Sequence, residues 1–129
     1  MDRVFLTLAA TFGLTAVLGG AFGSHALSAK LTPERLATFE TAVRYQLYHA
    51  FALFVVVWFR TAGPDRVSET LAGVFFIVGV VLFSGSLYAL SLTGVRRWGV
   101  VTPFGGLSFL LGCGFLIVAA LSAPIRFSF

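Results

Sequence analysis

Residues 70–95 read TLAGVFFIVGVVLFSGSLYALSLTGV, a run with no Asp, Glu, Lys or Arg. An α-helix needs about 20 apolar residues to cross a hydrocarbon core about 30 Å thick. This run exceeds that length. Two further runs do the same, residues 4–29 and 98–125. A fourth, residues 45–59, lies between Arg44 and Arg60 and is shorter. Its helix must draw on residues before Tyr45, or its arginines must reach back to the headgroups.

Composition agrees. Of 129 residues, 58% are apolar and 11% are charged, and the mean hydropathy is +0.97. Small soluble domains bury the smallest share of their surface and could not hide this much apolar area. The fold class that follows is an all-α membrane protein, a four-transmembrane-helix bundle forming a single domain over residues 1–129. The helices are expected at about 4–23, 43–60, 69–92 and 102–123. The first run is longer than a signal-peptide core and three more segments follow it, so it reads as a retained helix.

Thr32-Pro33-Glu34 marks a helix start, with Thr32 as the cap and Pro33 in the first turn. Leu36, Phe39, Val43, Leu47, Ala50 and Phe54 then recur at helical steps. An amphipathic interfacial helix over about 33–42 is expected, before or continuous with helix two. Glu40 and Arg44 have the spacing of an ion pair on one helix face. Thr61 to Asp65 reads as a turn, and Thr102-Pro103 as the cap of helix four. Ala9 and Gly13, Ala16 and Gly20, Gly19 and Gly23, and Ser108 and Gly112 are small pairs four apart, which lets helices approach closely.

The net charge is +4, but the basic residues stand singly or in pairs at segment ends. They serve as headgroup and topology anchors, not as a nucleic-acid surface. Arg3, Arg60, Arg66 and Arg126 fall on one side and Lys30, Arg35, Arg96 and Arg97 on the other. With Arg44 counted in its helix the sides balance, so charge sets no orientation. Cys113 is the only cysteine. It has no disulfide partner and reads as a small packing residue.

Both histidines lie near one junction, in GAFGSHAL (20–27) and RYQLYHA (44–50). Tyr45 and His49 share one helix face, and Arg44 and Tyr48 share the next. Helices one and three end, and two and four start, on the same side. That geometry gathers Ser24, His25, Arg44, Tyr45, Gln46, Tyr48 and His49 with Ser84, Ser86 and Tyr88 into a polar cluster at one membrane face. Polar groups at membrane depth need partners, and ionisable ones there suggest function. An aromatic belt with interhelical hydrogen bonds accounts for the same residues. Two histidines without a nearby cysteine or a close set of acids fall short of a metal site. No catalytic residues are assigned. The chain has no zinc-hydrolase, nucleophile-elbow, phosphate-loop or dinucleotide motif, and no cofactor is expected.

GAFGSHAL, LATFETAVRYQLYHA (36–50), FSGSLYALSLTG (83–94) and TPFGGLSFLLG (102–112), taken in order, resemble the small bacterial membrane proteins grouped as domain of unknown function 423. Eukaryotic transmembrane protein 256 is similar. The resemblance spans nearly the whole chain and implies a four-helix, multi-pass inner-membrane protein without an assigned activity. It also implies that Cys113 stands where the family usually has tryptophan. Three function classes fit these residues, in this order. The first is a non-enzymatic binding or accessory module engaging membrane lipids, a small ligand, a membrane-protein partner or a second copy. The second is a small-solute or proton relay through His25 and His49, since histidine titrates near neutral pH. The third is a membrane enzyme acting on a lipid.

Overall fold

The computed structural model describes residues 1–64 and 67–122. Four long helices run antiparallel in chain order: α1 (Asp2–Leu27), α2 (Pro33–Ala62), α3 (Val67–Thr93) and α4 (Thr102–Ser122). A short 3₁₀ turn, Arg96–Val100, leads into α4. All four segments are long and apolar enough to cross a membrane. With the composition, this makes the chain a multi-pass membrane protein. Asp65, Arg66 and residues 123–129, which include Pro124 and Arg126, lie outside the described residues.

Helix α2 settles the interfacial segment. Thr32 is extended (φ −63°, ψ 157°) and its Oγ1 accepts the Arg35 N–H at 3.3 Å, so the helix starts at Pro33 as its cap dictates. From there it continues unbroken to Ala62. At 1.5 Å per residue its 30 residues span about 45 Å, well beyond the hydrocarbon core. Residues 33–42 are therefore continuous with helix two, one of the two expected arrangements. Phe39 and Ala42 are buried against the neighbouring helices, so this stretch is the outer third of α2 within the bundle. Glu40 and Arg44 do not close the expected ion pair. Arg44 reaches Thr41 Oγ1 at 3.4 Å instead.

Helix α1 packs along α2, and α3 along α4, with α2 and α3 joining the pairs. Phe5, Ala9, Leu53, Val56, Ala72, Phe76, Val80 and Phe109 fill the centre. Close approach needs glycine at specific points. A Cβ on Gly105 would lie 2.7 Å from Phe83 Cα, and one on Gly112 would lie 2.7 Å from the Phe76 ring and 3.3 Å from Ala72 O. Beside Gly112, Ser108 Oγ donates to Phe75 O at 2.7 Å, so the expected Ser108–Gly112 pair does form a seam. Gly13 faces open space. Cys113 is exposed. It lies on the outer face of α4, not in the packing position expected of it.

Candidate functional site

At the rim that carries the α1–α2 connection, α1 widens into one π turn, Gly19–Gly23, and resumes as α-helix over Ser24–Leu27. Ser24 and His25, expected in a connecting loop, are therefore helical. The glycines admit α2: added Cβ atoms would meet Val43 at 3.5 Å from Gly19 and 3.2 Å from Gly20, and Phe39 at 3.0 Å from Gly23. A cleft of about 240 Å³ opens between these helices, lined by Gly20, Ser24, Glu40, Val43 and Arg44. It offers a hydroxyl, a carboxylate and a guanidinium on an apolar floor. His25 is exposed, and its carbonyl accepts the Ser28 hydroxyl at 2.7 Å.

Gln46 turns away from that cleft into the interior and is 6% exposed. Its Nε2 donates to Phe12 O at 2.9 Å and to Thr15 Oγ1 at 2.6 Å. Its Oε1 accepts the Tyr88 hydroxyl at 2.7 Å. One side chain of α2 thus ties α1 to α3. Two serines of α3 do similar work. Ser84 Oγ donates to Ala42 O at 2.8 Å. Ser86 Oγ meets Thr102 Oγ1 at 2.6 Å, so Thr102 is the first residue of α4 and bonds across to α3 where a cap was expected.

His49 lies against α3 and α4. Its ring stacks on Phe109 with centroids 3.5 Å apart and planes 4° apart, and it tilts against Phe76 at 5.6 Å. Nδ1 is 2.7 Å from Tyr45 O. A carbonyl can only accept, so Nδ1 carries the proton. Tyr45 packs on Phe83 at 4.6 Å, and Tyr48 is 56% exposed. His49 is ten residues along α2 from Phe39, the residue opposite Gly23. That is about 15 Å of depth, and no hydrogen bond joins the two histidine rings.

The expected one-ended cluster therefore divides. Ser24 and Arg44 share the rim cleft with Glu40. Gln46, Tyr88, Ser84 and Ser86 are interhelical hydrogen bonds. Tyr45 and His49 belong to an aromatic stack at mid-length of α2, while His25 and Tyr48 point outward. Among the described residues no group of three or more His, Cys, Asp or Glu is placed to hold a metal ion.

Two polar groupings lay outside the sequence reading. At the opposite rim Arg60 pairs with Asp2, bonds Thr70 and lies over the Phe5 ring. Glu69 beside it is 2% exposed, and its Oε2 has no hydrogen-bond partner. It stands just before the uncharged run at 70–95. Yet it continues the buried stripe of Ala72, Gly73 and Phe76 by one helical turn. The second grouping is around Arg35, whose Nε donates to Ser91 O at 2.8 Å.

A family model described as "Protein of unknown function (DUF423)" matches residues 19–106. The chain belongs to this family. The matched span runs from the π turn of α1 to the start of α4 and contains the rim cleft, the Gln46–Tyr88 bond and Arg35. Relatives align over most of their length. The chain is 42% identical over 119 residues to the UPF0382 membrane protein YwdK of Bacillus subtilis, covering 92% of this chain and 97% of that one. It is 40% identical over 119 residues to the UPF0382 membrane protein SERP0230 of Staphylococcus epidermidis, covering 92% and 96%. It is 39% identical over 122 residues to the UPF0382 inner membrane protein YgdD of Escherichia coli, covering 93% and 91%. No solved structure matches the chain significantly.

Proposed function

We propose that the protein is a non-enzymatic binding or accessory module of the inner membrane that engages a zwitterionic lipid headgroup at the α1–α2 cleft. The description of the Escherichia coli relative supports the inner-membrane assignment. The observation that carries the binding role is the cleft itself. Ser24, Glu40 and Arg44 line it above Gly20 and Val43, and Glu40 and Arg44 are not spent on each other. A carboxylate and a guanidinium left apart in one cleft complement an ammonium and a phosphate on one ligand. Of the other polar residues in the chain's conspicuous motifs, Gln46, Ser84, Ser86 and Tyr88 are held in helix contacts, while His25 and Tyr48 face outward. Phe5, Leu53, Val56 and Phe76, at 0–2% exposure, occupy the middle of the bundle, packing that favours binding at the rim over conduction through the centre.

Native mass spectrometry of the protein released from mixed-lipid nanodiscs tests this. Wild type should retain phosphatidylethanolamine, and both Arg44→Gln and Glu40→Gln should lose most of it. Equal retention by all three proteins would remove the cleft as a headgroup site.

A further inference from the structure

A second groove lies across α2 from the first. It opens between the start of α2, the end of α3 and the 3₁₀ turn, holds about 500 Å³, and is lined in part by Thr32, Glu34, Arg35, Thr38, Gly94 and Arg96. That volume is within the roughly 300–1,000 Å³ typical of small-molecule sites. Arg35 and Arg44 are nine residues apart, which is half a turn around the helix. The two recesses therefore face different directions and share no lining residue.

Arg35 has a structural task here. The α3 helix ends at Gly94 in the left-handed conformation (φ 72°), with its N–H on Leu90 O. Arg35 Nε takes the neighbouring Ser91 carbonyl at 2.8 Å, which satisfies an end carbonyl and places a cation at the negative pole of the helix. This uses one of five donors. Among the described residues the guanidinium makes no other hydrogen bond and no salt bridge, so both Nη atoms remain available. A Cβ on Gly94 would stand 3.5 Å from Arg35 Cζ and 3.7 Å from each Nη. The bare glycine thus leaves the plane of the guanidinium uncovered.

Capping explains nothing about Arg96, which forms no ion pair among the described residues and lines the same groove. Glu34 is the single acid against these two arginines, so the groove keeps a net positive charge. Thr32 Oγ1 accepts the Arg35 N–H at 3.3 Å, which leaves its own O–H to donate. Thr38 is already committed, its hydroxyl donating to Glu34 O at 3.0 Å. Trp98, two residues past Arg96, is 44% exposed. An exposed tryptophan beside arginines at a span end sits at headgroup level.

We propose that this groove binds a phosphate group at the membrane surface, with the Arg35 fork and Arg96 on its oxygens and the Thr32 hydroxyl as a third donor. A pre-aligned arginine fork suits phosphate better than any neutral headgroup. The natural occupant is an anionic phospholipid. A soluble phosphate ester carries the same chemistry. The proposal stands whether or not the α1–α2 cleft is occupied.

The full chain in nanodiscs provides the test, with phosphatidylglycerol in competition with phosphatidylcholine and retained lipid counted by native mass spectrometry. Wild type should retain phosphatidylglycerol selectively. Arg96→Gln, which touches no helix cap, should lower that retention roughly five- to tenfold. Arg35→Gln should do at least as much, and Arg97→Gln, outside the groove, should change it less than twofold. A second arm titrates sodium phosphate against sodium chloride at equal ionic strength in phosphatidylcholine-only nanodiscs. A saturable thermal shift that Arg96→Gln abolishes, without lipid selectivity, assigns the phosphate to a soluble ester. Loss of lipid in Arg96→Gln and Arg97→Gln alike would mean diffuse surface charge and overturn the site. So would the absence of both lipid selectivity and a phosphate shift.

Discussion

Gly105→Ala is the sharpest perturbation of the α3–α4 seam. An added Cβ would lie 2.7 Å from both Cα and Cβ of Phe83, and closer still to its backbone nitrogen. Ordinary contact begins near 3.4 Å, so the helices must part by about 0.7 Å or more. Backbone cannot swing aside as a side chain can. Overpacking of this kind costs about 1–3 kcal/mol. Parting the helices also weakens the Ser108–Phe75 bond, of a kind that averages about 0.6 kcal/mol inside membranes. Alanine returns up to about 1 kcal/mol of helix propensity. The net is a loss of about 2 kcal/mol, near thirtyfold in the folding equilibrium. Gly85→Ala is the matched control. It is on the neighbouring helix, and its added Cβ meets nothing within 4 Å, so it collects the propensity gain alone. Both are measured by reversible unfolding in mixed micelles titrated with denaturing detergent. If Gly105→Ala proved as stable as Gly85→Ala, the close approach of α3 and α4 described here would be wrong.

Three further outcomes follow from individual side chains. Gln46→Leu should cost about 1–2 kcal/mol and Tyr88→Phe about 0.6 kcal/mol. In the Gln46→Leu background Tyr88→Phe should cost nothing more, a coupling read directly from the double-mutant cycle. His49→Phe keeps the face that stacks on Phe109 and should stay within about 1 kcal/mol of wild type, whereas His49→Ala opens a cavity and should cost about 2–3 kcal/mol. Equal losses in the two variants would put the Nδ1 bond to Tyr45, not the ring face, in charge. Glu69→Met replaces a buried carboxyl whose Oε2 has no donor with an apolar side chain of similar length, so it should raise stability by about 1–3 kcal/mol. A loss of stability in the same micelle titration would show that Glu69 is held by a favourable partner.

The spans were legible because lipid imposes a one-dimensional rule: a helix crossing it must be apolar for about 20 residues. The uncharged runs at 4–29, 70–95 and 98–125 obey it. The cap at Thr32 was legible because its donors are local, within three residues of the oxygen that serves them. The Gly19–Gly23 pair was legible for a similar reason. Small residues four apart share a face whatever they meet, and here they meet Val43 and Phe39.

Depth and direction around the axis were not legible, and the polar cluster depended on both. Helical spacing groups Tyr45 with His49 but does not say whether that face meets α1, α3 or lipid. Gln46, one step further round, reaches Thr15 and Tyr88 while Arg44 opens onto the cleft. Alternating helix direction correctly puts α1's end beside α2's start, yet it fixes only ends. Gln46 and His49 are near the middle of a 30-residue helix, whereas the charges at Arg35, Glu40 and Arg44 left open whether it was one helix or two. Those charges point outward or into grooves, while Phe39, Ala42 and Val43 between them are buried. The π turn of α1 adds a local change of phase. One extra residue at Gly19–Gly23 turns all that follows by about 100°, and Ser24 lines the cleft with Arg44. The same bulge leaves the cleft open where α1 meets Arg44. A single local departure from helical period thus borders the recess in which binding is proposed.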